Sequence, residues 1–190
     1  VRDVMLPSNY AGVGALTGIP GSVGGAIYMN AGTANGSTCA FLESVDLMSM
    51  EGLRSLPMEP SLYAYRGQTF CGIDDVILGG VFRFTRAEED QRAVFDHYMQ
   101  RRREKQPQGH CCGSVFKNPP GDHAGRLIEA CGLKGTRCGG AVISPVHANF
   151  IMNDAGASFD DVLGLIYLAK DHVRERFGVT LEEEVRVIRA

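Results

Sequence analysis

The sequence predicts an α+β architecture, with α/β as the neighbouring alternative, and three observations carry that reading. Two runs, Leu42–Met50 and Val76–Phe84, alternate apolar and polar residues as strands do. Two longer runs, 87–106 and 158–177, repeat apolar residues at helical spacing. The 190 residues are 44% apolar, enough to bury a real core in one domain and part of another, or in two small domains. Neither a bundle nor a sandwich produces this loose alternation of elements.

The chain opens VRDVMLPSNYAG, which reads like the middle of a domain rather than its start. Thr17–Gly32 follows as TGIPGSVGGAIYMNAG, with five glycines among small residues. Glycine permits positive φ, and successive bare amides form a concavity that holds an anion without a charged side chain. On its own such a run is as readily a tight turn between packed segments as a diphosphate cradle. It lacks the Gly-Lys-Ser/Thr ending of nucleotide-triphosphatase loops and the strand-GxGxxG-helix unit of dinucleotide folds.

In the first strand Val45 and Leu47 carry the alternation, and in the second Val81, Phe82 and Phe84. Between them Tyr63-Ala64-Tyr65-Arg66-Gly67 sets one arginine among aromatics, a pattern of surface stacking as much as of a site. Helix 87–106 is expected to open on Glu88, Glu89 and Asp90, to carry Val94 and Tyr98 on its apolar face, and to close on Arg101, Arg102, Arg103 and Lys105 before Pro107, charges that suit its dipole. Gly109–Pro119 is a loop-strand-loop passage dense in hydroxyl, amide and cationic groups, broken by Pro119-Pro120-Gly121.

Ala124, Leu127, Ile128 and Cys131 are spaced as a two-turn helix stopped by Gly132. Gly139–Asn153 gives two apolar stretches around Ser144-Pro145, with His147 and Asn149 embedded. Ser158 and Asp161 form the N-terminal signature of the last helix, whose expected apolar face is Val162, Ile166, Ala169, Val173 and Phe177, with Gly178 at its end. From Val179 to Ile188 alternation predicts a strand with Val185 and Val187 on one face and Glu182, Glu184, Arg186 and Ile188 on the other.

Net charge is −3, with 19 basic and 22 acidic residues, which gives no electrostatic case for nucleic acid. No apolar run is long enough to span a bilayer. The six cysteines lack C-x-x-C spacing and fit free thiols in a reducing cytosol; a zinc site from Cys111, Cys112 and His123 lacks ligand spacing, so no metal is expected.

Five segments then occur in one order: the Gly-rich run; YAYRG; KQP with GSVFKNPPGDHAGRLIEACGLKG; GGAVISPVHANFIMN; and FGVTLEEEV. Together they resemble the UDP-N-acetylenolpyruvoylglucosamine reductase (MurB) family of flavoenzymes over nearly the whole chain. The resemblance implies a partial FAD-binding domain of the FAD-linked oxidase type at 1–86, a connecting helix at 87–106, a smaller α+β substrate-binding domain at 107–178 and a C-terminal strand at 179–190. It implies a cytoplasmic enzyme of peptidoglycan precursor synthesis, in which NADPH reduces FAD and the flavin reduces the enolpyruvyl ether of a UDP-sugar to UDP-N-acetylmuramate. By motif it places catalysis at Arg66, Ser114 and Glu184. Thr17, Ile19, Pro20, Gly21, Ser22, Val23, Gly24 and Gly25 are expected to hold the flavin diphosphate, and Lys105, Lys117 and Asn118 the substrate. The family places a further Gly-rich, Ser-Asn-containing flavin segment upstream of Val1, and a small hydroxyl residue where this sequence has Gln68. A truncated, non-catalytic UDP-sugar-binding module of the same family is the alternative; another FAD-linked oxidase would lack GSVFKNP and HANFIMN. Oligomeric state is not legible in the sequence.

Overall fold

A computed structural model describes residues 1–188, and these divide into two compact units, Val1–Arg102 and Arg103 onward. The first unit is built on β3 (Leu42–Ser49), the centre of an antiparallel sheet. Its neighbours are β4 (Gly52–Pro57) and β7 (Val76–Phe82). Val45 pairs with Leu56 and Gly80, and Leu47 with Arg54 and Ile77. Both side chains are wholly buried, as period-two alternation on a half-covered sheet requires. Ile27 from α2 (Val23–Tyr28) belongs to the same buried cluster.

Upstream, α1 (Val13–Leu16) ends where the Gly-rich run begins. After α2 come two short ribbons, β1 (Gly32–Thr33) with β2 (Gly36–Ser37), and β5 (Tyr63–Ala64) with β6 (Gly67–Gln68). The expected helix over 87–106 is α3, Gln91–Lys105, and the acidic residues Glu88, Glu89 and Asp90 precede it rather than forming its first turn. The cause is Asn9: its Nδ2 donates to the carbonyls of Ala87 and Glu89 and its Oδ1 accepts from Gln91 N–H, holding the lead-in outside the helix. Asp90 still serves the helix start, accepting from Arg92 N–H at 2.9 Å.

The second unit packs α4 (Ala124–Ala130) and α5 (Phe159–Phe177) with an antiparallel sheet ordered β10 (Ile151–Asn153), β9 (Ala141–Ile143), β8 (Arg137–Cys138). Ser158 and Asp161 make the full reciprocal capping box of α5, and Gly178 closes the helix in the left-handed conformation. Ile166, Ala169 and Val173 are buried as expected, joined by Leu165, which widens the apolar stripe; Phe177 lies partly exposed in the last turn, between Arg126 and Arg176.

Asp161 does more than cap. Its carboxylate also accepts from Gly140 N–H at 3.1 Å, tying α5 to the β8–β9 turn. A Cβ at Gly139 would collide with that carboxylate. The amides of Ser158 and then Gly140 hold the Asp161 carboxyl below its ordinary value. A depressed folded-state value means that this contribution to stability is complete above the unfolded value and is lost as pH falls toward the folded one. Asp161→Asn is therefore expected to lower stability at neutral pH, with the gap to the parent protein closing below about pH 4 in denaturant melts taken across the acid range.

The segment 179–188 is not the strand that its alternation predicts. It forms a single antiparallel bridge, Glu183 with Phe116, and Val187 is exposed. Its partner offers only Val115–Lys117, and two successive amides, Glu184 and Val185, both point to the Val115 carbonyl (2.8 and 3.3 Å). Two residues opposing one is the arrangement of a β-bulge, which ends regular pairing and re-aims side chains.

Candidate active site

In the first unit the start of the Gly-rich run, 17–22, links α1 to α2, which the rest of the run includes. Thr17 is buried, its Oγ1 donating to Val13 O at 2.6 Å, whereas Gly18 and Pro20 through Val23 are exposed. Gly21 has φ 125°, a conformation that only glycine adopts freely, in a turn that leads into α2. Two of the expected amides are already engaged: Ser22 Oγ accepts from Gly25 N–H at 3.1 Å, and Leu16 O from Ile19 N–H at 3.5 Å. Between those two positions Pro20 through Val23 are exposed.

Arg66 is the second turn residue of the β5–β6 ribbon and has φ 55°, the left-handed region that a long side chain rarely occupies. Its guanidinium donates to Gly32 O at 2.7 Å and lies 5.1 Å from the centroid of the Tyr65 ring. Asn30, buried at the end of the Gly-rich run, donates to Ala64 O at 2.7 Å and accepts from Cys39 N–H at 3.0 Å. The fold thus brings Arg66 to the far end of the run that opens at Thr17. Gln68 clamps the next turn, with its amide donating to Cys71 O and accepting from Cys71 N–H.

In the second unit Ser114 follows Gly113, whose φ is 82°, and leads into Val115–Lys117. That segment is gripped from both sides. Asn149 accepts from Val115 N–H through its carbonyl (2.8 Å) and from Phe116 N–H through Oδ1 (2.9 Å), and donates from Nδ2 to Phe116 O (2.8 Å). On the other side lies 182–185, whose bulge sets the half-buried Glu184 against Val115. Glu183 is tied down by Lys170 at 2.6 Å. Ser114 and Glu184 are therefore carried by neighbouring segments.

The expected substrate residues divide. Lys117, half-buried, pairs with Glu182 at 2.5 Å. Asn118 accepts from Ala124 N–H at 3.1 Å, so it also serves the start of α4. Lys105 is exposed at the last residue of α3. A groove of about 600 Å³ in this unit is lined by His110, Arg137, Ser144 and Asn153 among others, and none of the expected residues contributes to it.

His147 is half-buried, and desolvation, then the charge of Lys134, pushes its imidazole down from its ordinary value. Its Nδ1 accepts from Asn149 N–H at 3.2 Å. That is the behaviour of a satisfied structural histidine. The six cysteines form no disulfide. Among the described residues, no three His, Cys, Asp or Glu side chains are grouped to hold a metal, and no helix is long and apolar enough to cross a membrane.

A family model for the UDP-N-acetylenolpyruvoylglucosamine reductase C-terminal domain matches residues 105–188. A Chloroflexus aggregans protein of that reductase name is 46% identical over 94% of this chain, and one from Chlamydia abortus is 41% identical over 95%. The crystal structure of the Thermus caldophilus reductase (MurB) superposes with a TM-score of 0.83 at 34% identity, over 96% of this chain. The chain belongs to the UDP-N-acetylenolpyruvoylglucosamine reductase family. It spans 63%, 61% and 66% of the lengths of those three relatives.

Within this MurB-family chain, two residues inside the quoted segments do structural work that the motifs do not reveal, one in each unit. Asn30 secures the ribbon bearing Arg66, and Asn149 secures the segment bearing Ser114. Asn149 lies inside the HANFIMN segment, but its role emerges only once partners 33 residues away are in place.

Proposed function

We propose that the protein reduces the enolpyruvyl ether of a UDP-N-acetylglucosamine derivative to the lactyl ether, with NADPH as reductant and FAD as carrier, in cytoplasmic peptidoglycan precursor synthesis. The observation that carries this reading is the pinning of Val115 and Phe116, the residues that follow Ser114, beside the segment of Glu184, on a chain that belongs to the reductase family. FAD fits the first unit on one count: the exposed residues Pro20 through Val23 suit a diphosphate, which bare amides bind without a cation. When bound, reduced FAD supplies a hydride to the methylene carbon of the enolpyruvyl group.

The chain's own residues deal with the charge that results. Negative charge develops at the carbon bearing the ether oxygen and spreads into the adjacent carboxylate. Arg66 offers a fixed cation for that carboxylate, preorganised by its bond to Gly32 O and its place over Tyr65. Ser114 Oγ donates a proton to the carbon, and a hydroxyl suffices because the carbanion is strongly basic. Glu184 orients the enolic form. Lys117 neutralises a substrate phosphate by exchanging Glu182, a largely exposed partner, for the ligand. Asn118 presents its amide to the sugar or phosphate from the start of α4.

The test is UDP-sugar-dependent oxidation of NADPH by protein that shows flavin absorbance. Turnover is the expected result. Colourless protein that still binds the UDP-sugar in calorimetry would replace this reading with the binding module, and absence of both binding and turnover would sink the two together.

A further inference from the structure

Asn149 is 4% exposed, and each of its hydrogen-bonding groups has a partner. Its N–H goes to His147 Nδ1, its carbonyl accepts from Val115 N–H, its Oδ1 accepts from Phe116 N–H and its Nδ2 donates to Phe116 O. Phe116 N–H can only donate and Phe116 O can only accept, so the orientation of the Asn149 amide is fixed by its partners. The side chain therefore behaves as one more strand residue alongside Phe116. It imposes both a donor and an acceptor on a segment whose other edge carries a single isolated bridge, Phe116 with Glu183.

Ser114 lies two residues before Phe116, after the left-handed Gly113. On its N-terminal side the chain is held by the isolated bridge of Cys111 with Met152 and by the bond from Asn153 N–H to His110 O at 2.9 Å. The same short segment meets Glu184 through Val115 O. The position of the Ser114 hydroxyl, and its register against Glu184, thus depend on how firmly Val115 and Phe116 are held. Proton transfer in a transition state is sensitive to displacements well below the size of the side chain itself.

We propose that Asn149 is a positioning residue: through its two-point grip on the Phe116 backbone it sets the placement of the Ser114 hydroxyl for proton donation. This rests on the functional reading above. It separates the two halves of that chemistry, because transfer of reducing equivalents from NADPH to flavin does not use Ser114, whereas reoxidation by the UDP-sugar does.

The experiment compares Asn149→Ala and Asn149→Asp with Ser114→Ala. Residue-resolved amide hydrogen exchange on this chain is the first readout. Asn149→Ala is expected to raise exchange at Phe116 N–H by about tenfold or more while the Leu165, Ile166 and Ala169 amides of α5 keep their protection. Asn149→Asp keeps the acceptor, so Phe116 N–H stays protected although Phe116 O loses its donor. The second readout is single-turnover kinetics of the flavin-loaded protein: Asn149→Ala is expected to slow flavin reoxidation by the UDP-sugar about tenfold or more and leave flavin reduction by NADPH unchanged. Unchanged exchange at Phe116, a uniform loss of protection that includes α5, or reoxidation at the parent rate would each overturn the proposal. Normal reoxidation in Ser114→Ala would instead remove the functional reading, and the exchange data would then describe Asn149 as a structural clamp alone.

Discussion

Ser114→Ala is expected to slow flavin reoxidation by the UDP-sugar by about 10²- to 10⁴-fold, the range spanned by loss of a positioned general acid. Fold and stability should be nearly unchanged, because Ser114 is only half-buried and the segment beyond it is held through backbone groups of Val115, Phe116 and Lys117. Ser114→Cys should retain more activity than Ser114→Ala, since a thiol still has a proton to give. Stopped-flow absorbance of the flavin distinguishes the three proteins. Reoxidation of Ser114→Ala within about twofold of the parent rate would exclude the serine as donor.

Arg66 offers the second large effect, with an unusual pairing of gain and loss. Replacing it with alanine or glycine is expected to remove the cation proposed to meet the developing carboxylate charge, an effect of about 10²- to 10³-fold on turnover. The two variants should nevertheless differ in stability. Alanine inherits the left-handed backbone at φ 55°, which costs an L-residue about 1 kcal/mol or more, while glycine is indifferent to it. Both lose the bond to Gly32 O and the contact with Tyr65, so these cancel in the comparison. Arg66→Gly should melt later than Arg66→Ala and be equally inactive. Equal melting temperatures would mean that the ribbon relaxes when the arginine leaves. The native protein holds a strained residue at a turn where glycine would sit more easily, a pattern expected where the side chain is kept for what it binds.

How much of this was readable in the sequence follows the range of the interactions involved. Helix α5 was legible end to end because its signals act over three or four residues: Ser158 with Asp161, the apolar repeat, and Gly178. Strand β3 was legible because alternation reports directly on a half-covered sheet; β7 forms as expected, but Val81, read as carrying its alternation, is exposed. Alternation misled at 179–188, where the available partner is three residues long and a bulge spends two amides on one carbonyl. The acidic triplet 88–90 looked like a first helical turn because nothing local reveals that Asn9, some eighty positions earlier, grips its backbone. Asn30 and Asn149 were invisible as clamps for the same reason. An asparagine in a loop has no period, and its partners lie 34 and 33 positions away.

Those separations bear on the order in which the chain acquires its parts. The Ser114 segment meets Asn149 only after a 33-residue loop closes, and Lys117 meets Glu182 only after one of 65. Such closures cost entropy before any contact returns it, whereas the turns of α5 need no partner to begin. Helical content is thus a poor witness to chemical competence. A partly assembled population would give a nearly native circular dichroism spectrum while the segments bearing Ser114 and Glu184 were still far apart.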